Sequence, residues 1–346
     1  LASGVQKIGG FQALNLSVSG LANRYAFGGE DMFTQLSDLL FDVMFDPLRD
    51  EDGLLSEEGF RQKQRALLET LDAEYNDKIV YAHRRCEELL FQGQSAAFGS
   101  FGTKEQIAAL DRKTVSQAWE EILRSAQFEV FVLGDCVPHE ELFVKRFAGL
   151  GKPQPLGLLK YEEPVEVHRK TEEQPLSQSK LSMGFRADFS PEEKPLFRLM
   201  AAALGGVPSS KLFQNVREKM SLCYYCSSSM AANSRAMFIE SGVETENLQQ
   251  AEAAIMDQIS ALQRGELTEE ELLSAKLALQ NSMRSVQDSL SAMENAYLGQ
   301  VFGGHVMSPE ASAEQIMTYS REQVTEAARR LRPAAVYTLK GGAVHG

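Results

Sequence analysis

The chain has 346 residues, 43% of them apolar, and a formal net charge of −13. That length is enough for two well-buried cores, and the composition is that of an ordinary globular protein. The surplus of negative charge argues against a nucleic-acid partner, whose phosphates need basic patches, and fits basic or neutral peptide ligands or plain solubility. No apolar run reaches the roughly 18 residues of a membrane span, so no membrane contact is expected. The first residues lack the basic-then-apolar pattern of a secretory signal, which a lost N-terminus would hide. Four scattered cysteines, Cys86, Cys136, Cys223 and Cys226, are too sparse for a disulfide scaffold. They fit a reducing, cytoplasmic setting.

In chain order, residues 11 to 27 alternate enough to suggest two strands, closed by Gly28-Gly29. Met32, Phe33, Leu36, Leu39, Leu40 and Val43 then form a helical stripe. Pro47 and the acidic stretch 49–53 break it, and Ser56 opens a long helix that runs into the 80s. Thr103 and Thr114 are expected to cap two further helices, and Phe128 to Leu133 to form a buried strand. Residues rich in Gly, Pro, Glu and Lys between 149 and 178 read as a linker. Beyond it come a strand near 180–187, a helix started by Ser190-Pro191 and ended by Gly205-Gly206, and a short helix to about Lys219. Two strands near 222–231 and 235–243, long helices at 246–264 and 268–289, two more helices and a last strand at 334–339 complete the chain. Strands and helices in separate blocks favour an α+β class with mainly antiparallel sheets. No Gly-rich nucleotide loop is present.

The chain also repeats itself. Leu55-Ser-Glu-Glu returns as Leu267-Thr-Glu-Glu, an offset of 267 − 55 = 212. Glu105-Gln-Ile returns as Glu314-Gln-Ile, an offset of 314 − 105 = 209. Two copies of one unit imply two similar domains, and sites often form where such copies meet. The expected boundaries are 1–155 for the first domain, 156–178 for the linker and 179–346 for the second domain. In the second copy the stretch from Lys180 to Leu212 precedes the shared region. Its counterpart would lie ahead of Leu1, so the first domain is expected to be incomplete at its N-terminus.

The stretch that carries chemistry is Ser209-Ser-Lys-Leu-Phe-Gln-Asn-Val-Arg-Glu-Lys-Met-Ser-Leu-Cys-Tyr-Tyr225. It reads as a short amphipathic helix, with Leu212, Phe213 and Val216 inward, leading into a strand. Arg217 brings a permanent charge and a fork of donors, and Tyr224 a neutral donor on a rigid ring. Two such donors converging on one point could hold a peptide carbonyl and the charge that develops on it during hydrolysis. The plainer alternative is that Arg217 pairs with a surface Glu while Tyr224 packs. Cys223 and Cys226 have C-x-x-C spacing but no second pair, histidine or helix N-terminus beside them, so they read as strand residues.

The block Ser-Ser-x-Leu-Phe-x-x-x-Arg-Glu-Lys-x-x-Leu-x-Tyr resembles the C-terminal-domain signature of the pitrilysin/insulinase family of zinc metallopeptidases. That family includes the mitochondrial processing peptidases and the core proteins of the respiratory bc1 complex. The family's Arg and Tyr stand seven residues apart, as here, where 224 − 217 = 7. Gly102-Thr103, the strand end at Gly134-Asp135 and the duplicated α+β pattern extend the likeness over nearly the whole chain. The resemblance implies a LuxS/processing-peptidase-like fold of two homologous domains, each an antiparallel sheet of about six strands packed with helices. It also implies that Arg217 and Tyr224 bind the substrate carbonyl.

The family's zinc site is an H-x-x-E-H on a helix of the first domain plus a later Glu. No two of His83, His139, His168, His305 and His345 lie closer than 168 − 139 = 29 residues, so that motif is absent from this sequence. It would belong ahead of Leu1. Glu69 sits about where the distal Glu ligand lies, with Thr70 in place of the next family-typical acid. Asp72-Ala-Glu-Tyr-Asn-Asp-Lys and Tyr81-Ala-His-Arg-Arg resemble bacterial members that lack zinc ligands and are encoded beside an active-looking relative. The resemblance thus implies an Arg-Tyr-bearing subunit of a zinc endopeptidase acting on peptides. Zinc would sit in a homologous H-x-x-E-H partner, or in a segment ahead of Leu1, and none in this chain alone; a homodimer is the other pairing. A complete zinc peptidase with an upstream motif and a non-catalytic assembly protein are the alternatives.

Overall fold

The computed structural model describes residues 1–154, 160–301 and 304–342. The expected boundary at 155/156, the first residues of the expected linker and His345 lie outside the described residues. Contacts divide the chain into two compact units: residues 1–7, 11–73 and 99–157, and residues 8–10, 74–98 and 158–346.

Strands β1 (Ala2–Ile8) and β2 (Phe11–Ser17), which fall in the first unit apart from Ile8, form a two-stranded sheet. The pair thus sits earlier than the expected 11–27. Beyond β2 the chain turns through short 3-10 segments, and Gly28 and Gly29 take φ values of 78° and 77° that a strand cannot use. The stripe from Met32 forms α1 (Met32–Phe45), with Asp31 accepting from the Thr34 amide at its start. Its Phe41 is buried against Phe143 and Phe147.

The expected long helix is two helices, α2 (Glu57–Asn76) and α3 (Lys78–Leu90). Asp77 ends the first by capping the second, accepting from the amides of Ile79 and Val80. Thr103 caps α4 (Lys104–Ala109) in a reciprocal box with Gln106. For α5 (Arg112–Ser125) the cap is Asp111, and Thr114 supplies the donor amide instead of the cap. Helix α6 (Glu140–Phe147) follows. Residues 128–133, expected as a strand, have no ladder partner among the described residues and form none.

The second unit is built on a five-stranded sheet of β3 (His168–Gln174), β4 (Ser179–Arg186), β5 (Cys223–Ala231), β6 (Ala236–Val243) and β7 (Arg332–Gly341). Their order is β3-β7-β4-β6-β5, and only the β3–β7 pair is parallel. Strand β3 falls within the segment expected as a linker. Its sequence, His-Arg-Lys-Thr-Glu-Glu-Gln, is polar because it is an edge strand, where charge is tolerated.

The helices are α7 (Lys194–Ala201), α8 (Leu248–Gln263), α9 (Glu269–Ser285), α10 (Leu290–Val301), α11 (Pro309–Thr318) and α12 (Arg321–Arg329). Three helices therefore follow α9, where two were expected. One sheet face, with Leu181, Met183, Phe185, Met237 and Ile239, meets Phe197 of α7, Ile255 of α8, Leu272 of α9 and Val324 of α12. The opposite face, with Phe238, Ala335, Tyr337 and Leu339, is covered by Ala82, Cys86 and Leu90 of α3 and by Phe91. Residues 74–98, expected in the first domain, thus pack with the second sheet. The α+β class holds throughout.

Two carboxylates are set into the α3-covered face. Glu240 accepts from Ser182 Oγ at 2.8 Å and meets His83 Nδ1 at 2.8 Å. Glu172 accepts from the hydroxyls of Tyr81 and Tyr337. Each acceptor is therefore satisfied at the point where water is displaced. Burial works against a charged His83 imidazole, but the hydrogen bond and charge of Glu240, aided by Glu87, outweigh it and raise the His83 pKa above its ordinary 6.5.

Phe91 is fully buried, so Phe91→Ala is expected to cost about 3–5 kcal/mol in chemical denaturation. Leu48→Ala, at a residue 79% exposed, should stay within about 0.5 kcal/mol. Because its folded-state pKa is raised, His83 contributes stability that is complete below about pH 6.5 and lost as pH rises through that higher folded value. The stability gap between the native chain and His83→Gln should therefore be larger at mildly acidic than at alkaline pH. A gap that ignores pH would show that the His83–Glu240 contact does not couple to titration.

Candidate functional site

The segment from Ser209 to Tyr225 is anchored by residues whose side chains face the core. Ser209 Oγ donates to Ser274 Oγ at 2.6 Å, and the buried Lys211 Nζ stands 3.3 Å from both Glu271 oxygens, so two bonds tie the segment to α9. Leu212 and Val216 are fully buried. Asn215 Nδ2 donates to Gln258 of α8 at 2.6 Å. Gly205 is required for this fit. A Cβ there would lie 2.7 Å from Leu212 Cδ1 and 2.7 Å from the Ser228 backbone nitrogen.

Residues Leu212–Lys219 form π-type turns, wider than an α-helix and often found near functional residues. The exit is tight. The Ser221 amide donates to the Arg217 carbonyl at 3.1 Å, the Leu222 amide to the Val216 carbonyl at 3.1 Å, and Ser221 takes a left-handed φ of 52°. Arg217 thus leaves near the end of the helix. Its guanidinium lies 4.5 Å from the Phe213 ring centroid, and Nη1 lies 3.4 Å from Glu218 Oε1. The surface Glu pairing foreseen as the plainer alternative is therefore present. With 39% of the side chain exposed, the fork retains access to solvent.

Tyr224 does not pack. It is 57% exposed and stands at an irregularity in the edge strand β5. Cys223 pairs with Val243 and Tyr225 with Gly242, so Tyr224 is the extra residue of a β-bulge. A bulge re-aims the side chain it carries, and here the phenol hydroxyl donates to the Glu244 carboxylate. That bond, with the charge of Glu244, raises the phenol pKa and keeps it a donor. Gly242 makes room for the next residue, since a Cβ there would lie 2.5 Å from Tyr225 Cε1. Arg217 and Tyr224 thus leave the same helix-to-strand connection as partly exposed donors. Neither lines the cavity of about 360 Å³ bounded by Arg169, Lys170, Thr245, Glu252 and Lys340.

Glu244 was not foreseen, because it lies on the chain 20 residues beyond Tyr224 and only the β5–β6 pairing brings it alongside. Glu69 is exposed on α2, in the first unit, and the neighbouring Thr70 hydroxyl bonds back to the Ala66 carbonyl at 2.9 Å. A zinc site needs three or four converging ligands. Among the described residues no three His, Cys, Asp or Glu side chains gather in that way. His83 is engaged by Glu240, and His139 lies edge-on to Phe33. The described residues do not fit a zinc ion. No helix among the described residues is long and apolar enough to cross a membrane.

The family described as "Peptidase M16 inactive domain" matches residues 109–279. The protein named "Probable inactive metalloprotease YmfF" of Bacillus subtilis is 24% identical over 309 residues, covering 88% of this chain and 72% of that protein. "Uncharacterized zinc protease YmxG" of the same organism is 26% identical over 301 residues, covering 85% of this chain and 71% of that protein. A crystal structure of a conserved protein from Enterococcus faecalis V583 matches with a TM-score of 0.89 and 26% identity, over 99% of this chain and 82% of that one. Residues 109–279 thus match the M16, or pitrilysin/insulinase, peptidase family, and these relatives extend the likeness over most of the chain, as its Arg-Glu-Lys block and α+β fold had suggested.

Proposed function

We propose that this chain is a substrate-binding M16 subunit that works with a homologous, zinc-bearing partner and is not catalytically complete by itself. The observation that carries this reading is the β5 bulge. It turns Tyr224 outward seven chain positions after Arg217, in a unit whose described residues offer no metal site. The names of the matched family and of YmfF, both using the word inactive, support it.

On this reading the scissile carbonyl of an extended peptide accepts from the Arg217 guanidinium and the Tyr224 hydroxyl. Negative charge grows on that oxygen as the carbon becomes tetrahedral. Fixed donors aimed at it lower the barrier more than they tighten ground-state binding. Tyr224 first exchanges its bond to Glu244 for the substrate oxygen. The free edge of β5 can pair with the peptide backbone and hold its register. The metal, the base and the attacking water come from the partner. The chain is read as cytoplasmic, without nucleic-acid or membrane partners. A second reading, a complete zinc peptidase whose H-x-x-E-H precedes Leu1, is favoured by the name of YmxG.

Arg217→Ala and Tyr224→Phe should each lower turnover by the partnered complex roughly 10- to 1000-fold, chiefly in kcat, as loss of an oxyanion donor does. Lys219→Ala, on the same helix, should leave it unchanged. Steady-state cleavage of an unfolded peptide checks this, and full rates in both site variants remove the proposed role. Metal analysis of the purified chain should find zinc far below one per chain. Stoichiometric zinc in this chain alone would favour the second reading.

A further inference from the structure

The Tyr224 bulge has a second effect on β5. In an unbroken strand, residues three apart point to opposite faces and lie about 10 Å apart. Here Cys223 pairs with Val243 and Cys226 with Ser241, two positions apart on β6. The extra residue therefore returns both cysteines to one face, the face packed against Leu212, Val216 and Leu222. Two strand positions span about 6.6 Å, within the Cα separations of up to about 6.8 Å that a disulfide bridges. Both side chains pack against the same core cluster, and all four cysteines of the chain are free.

We propose that Cys223 and Cys226 form a reversible disulfide that closes across the bulge and locks Tyr224, making this edge of the sheet a peroxide-sensitive modification site. Cys223 is the half-exposed member and Cys226 the buried one. The hydrogen bond from Cys226 and the nearby charge of Arg217 outweigh burial and hold the Cys223 thiol down to about 7, while Cys226 is pushed up. Cys223 is thus the attacking sulfur and Cys226 the resolving one.

The Cys223 thiolate attacks one oxygen of hydrogen peroxide, the O–O bond breaks and hydroxide leaves, giving a sulfenic acid. The Cys226 sulfur then attacks that sulfur and releases its proton. The S–O bond breaks, water leaves and the S–S bond forms. Two thiols lose two electrons and two protons, and peroxide becomes two waters. A small dithiol reverses the bridge by exchange. The inference does not depend on the peptidase reading, since it needs only the register of β5.

Titrating the full chain with hydrogen peroxide, alkylating and digesting with trypsin tests it, because both cysteines fall in the peptide 220–235. The expected result is joint loss of alkylation at Cys223 and Cys226, with a peptide lighter by two hydrogens, restored by dithiothreitol. Cys226→Ser should instead leave a Cys223 sulfenic acid that dimedone traps. The bridge should also form faster in the folded chain than in the same chain in urea. Oxidation of Cys223 to sulfinic acid while Cys226 stays alkylatable, or equal rates in buffer and urea, would overturn the proposal.

Discussion

A sheet that is apolar on both faces has to be covered on both faces, and much of the second unit follows from that. Strands β4 and β6 carry Leu181, Met183, Phe185, Met237 and Ile239 on one side and Ala236 and Phe238 on the other. One side is met by the helices that follow β4 in the chain. The other is met by α3, drawn from far earlier in the chain than the strand residues it covers, as 238 − 86 = 152 for Cys86 and Phe238. The cover is not purely oily. Glu240 and Glu172 sit within it, each answered by hydroxyl donors, and His83 answers Glu240 as well. Without those partners, the partly buried carboxylates would be left with unmet acceptors, which costs stability.

The same sheet explains why the Arg-Glu-Lys block reads as one unit. Most of its residues hold a frame, not a ligand. Ser209 and Lys211 fix it to α9, Leu212 and Val216 fill the core, and Gly205 lets the segment close onto Ser228. Ser221 accepts a left-handed conformation so that the chain can turn into β5 at once. Only after that turn does the bulge appear, at an edge, where an unpaired residue disrupts one ladder and not two. Arg217 and Tyr224 stay partly open to solvent while Leu212, Val216 and Leu222 hold the segment to the core.

Local signals were legible where local chemistry decides. The stripe of α1, the cap at Thr103, the Ser190-Pro191 start and strands β4 to β6 were all readable, since each rests on neighbours within a few residues. The errors share another cause. Strand β3 is charged and was taken for a linker, because its place at an edge beside β7 is set by a partner more than 150 residues away. Asp77 was passed over as a break because a continuous apolar pattern hides a cap. Among the candidate residues, Arg217 and Tyr224 were named from residue type, spacing and family resemblance. Glu244 and the shared face of Cys223 and Cys226 were not, since period-two alternation places the cysteines on opposite sides.

From the order of its residues alone, this protein was bound to an α+β class and to an Arg and a Tyr seven positions apart, and the given sequence holds no H-x-x-E-H. Those properties are composition and spacing, which survive unfolding. The tertiary structure decided which helix covers the second face of the sheet, that Tyr224 leaves the ladder to meet Glu244, and that two cysteines share a side. These depend on register, and register exists only once β5 has found β6.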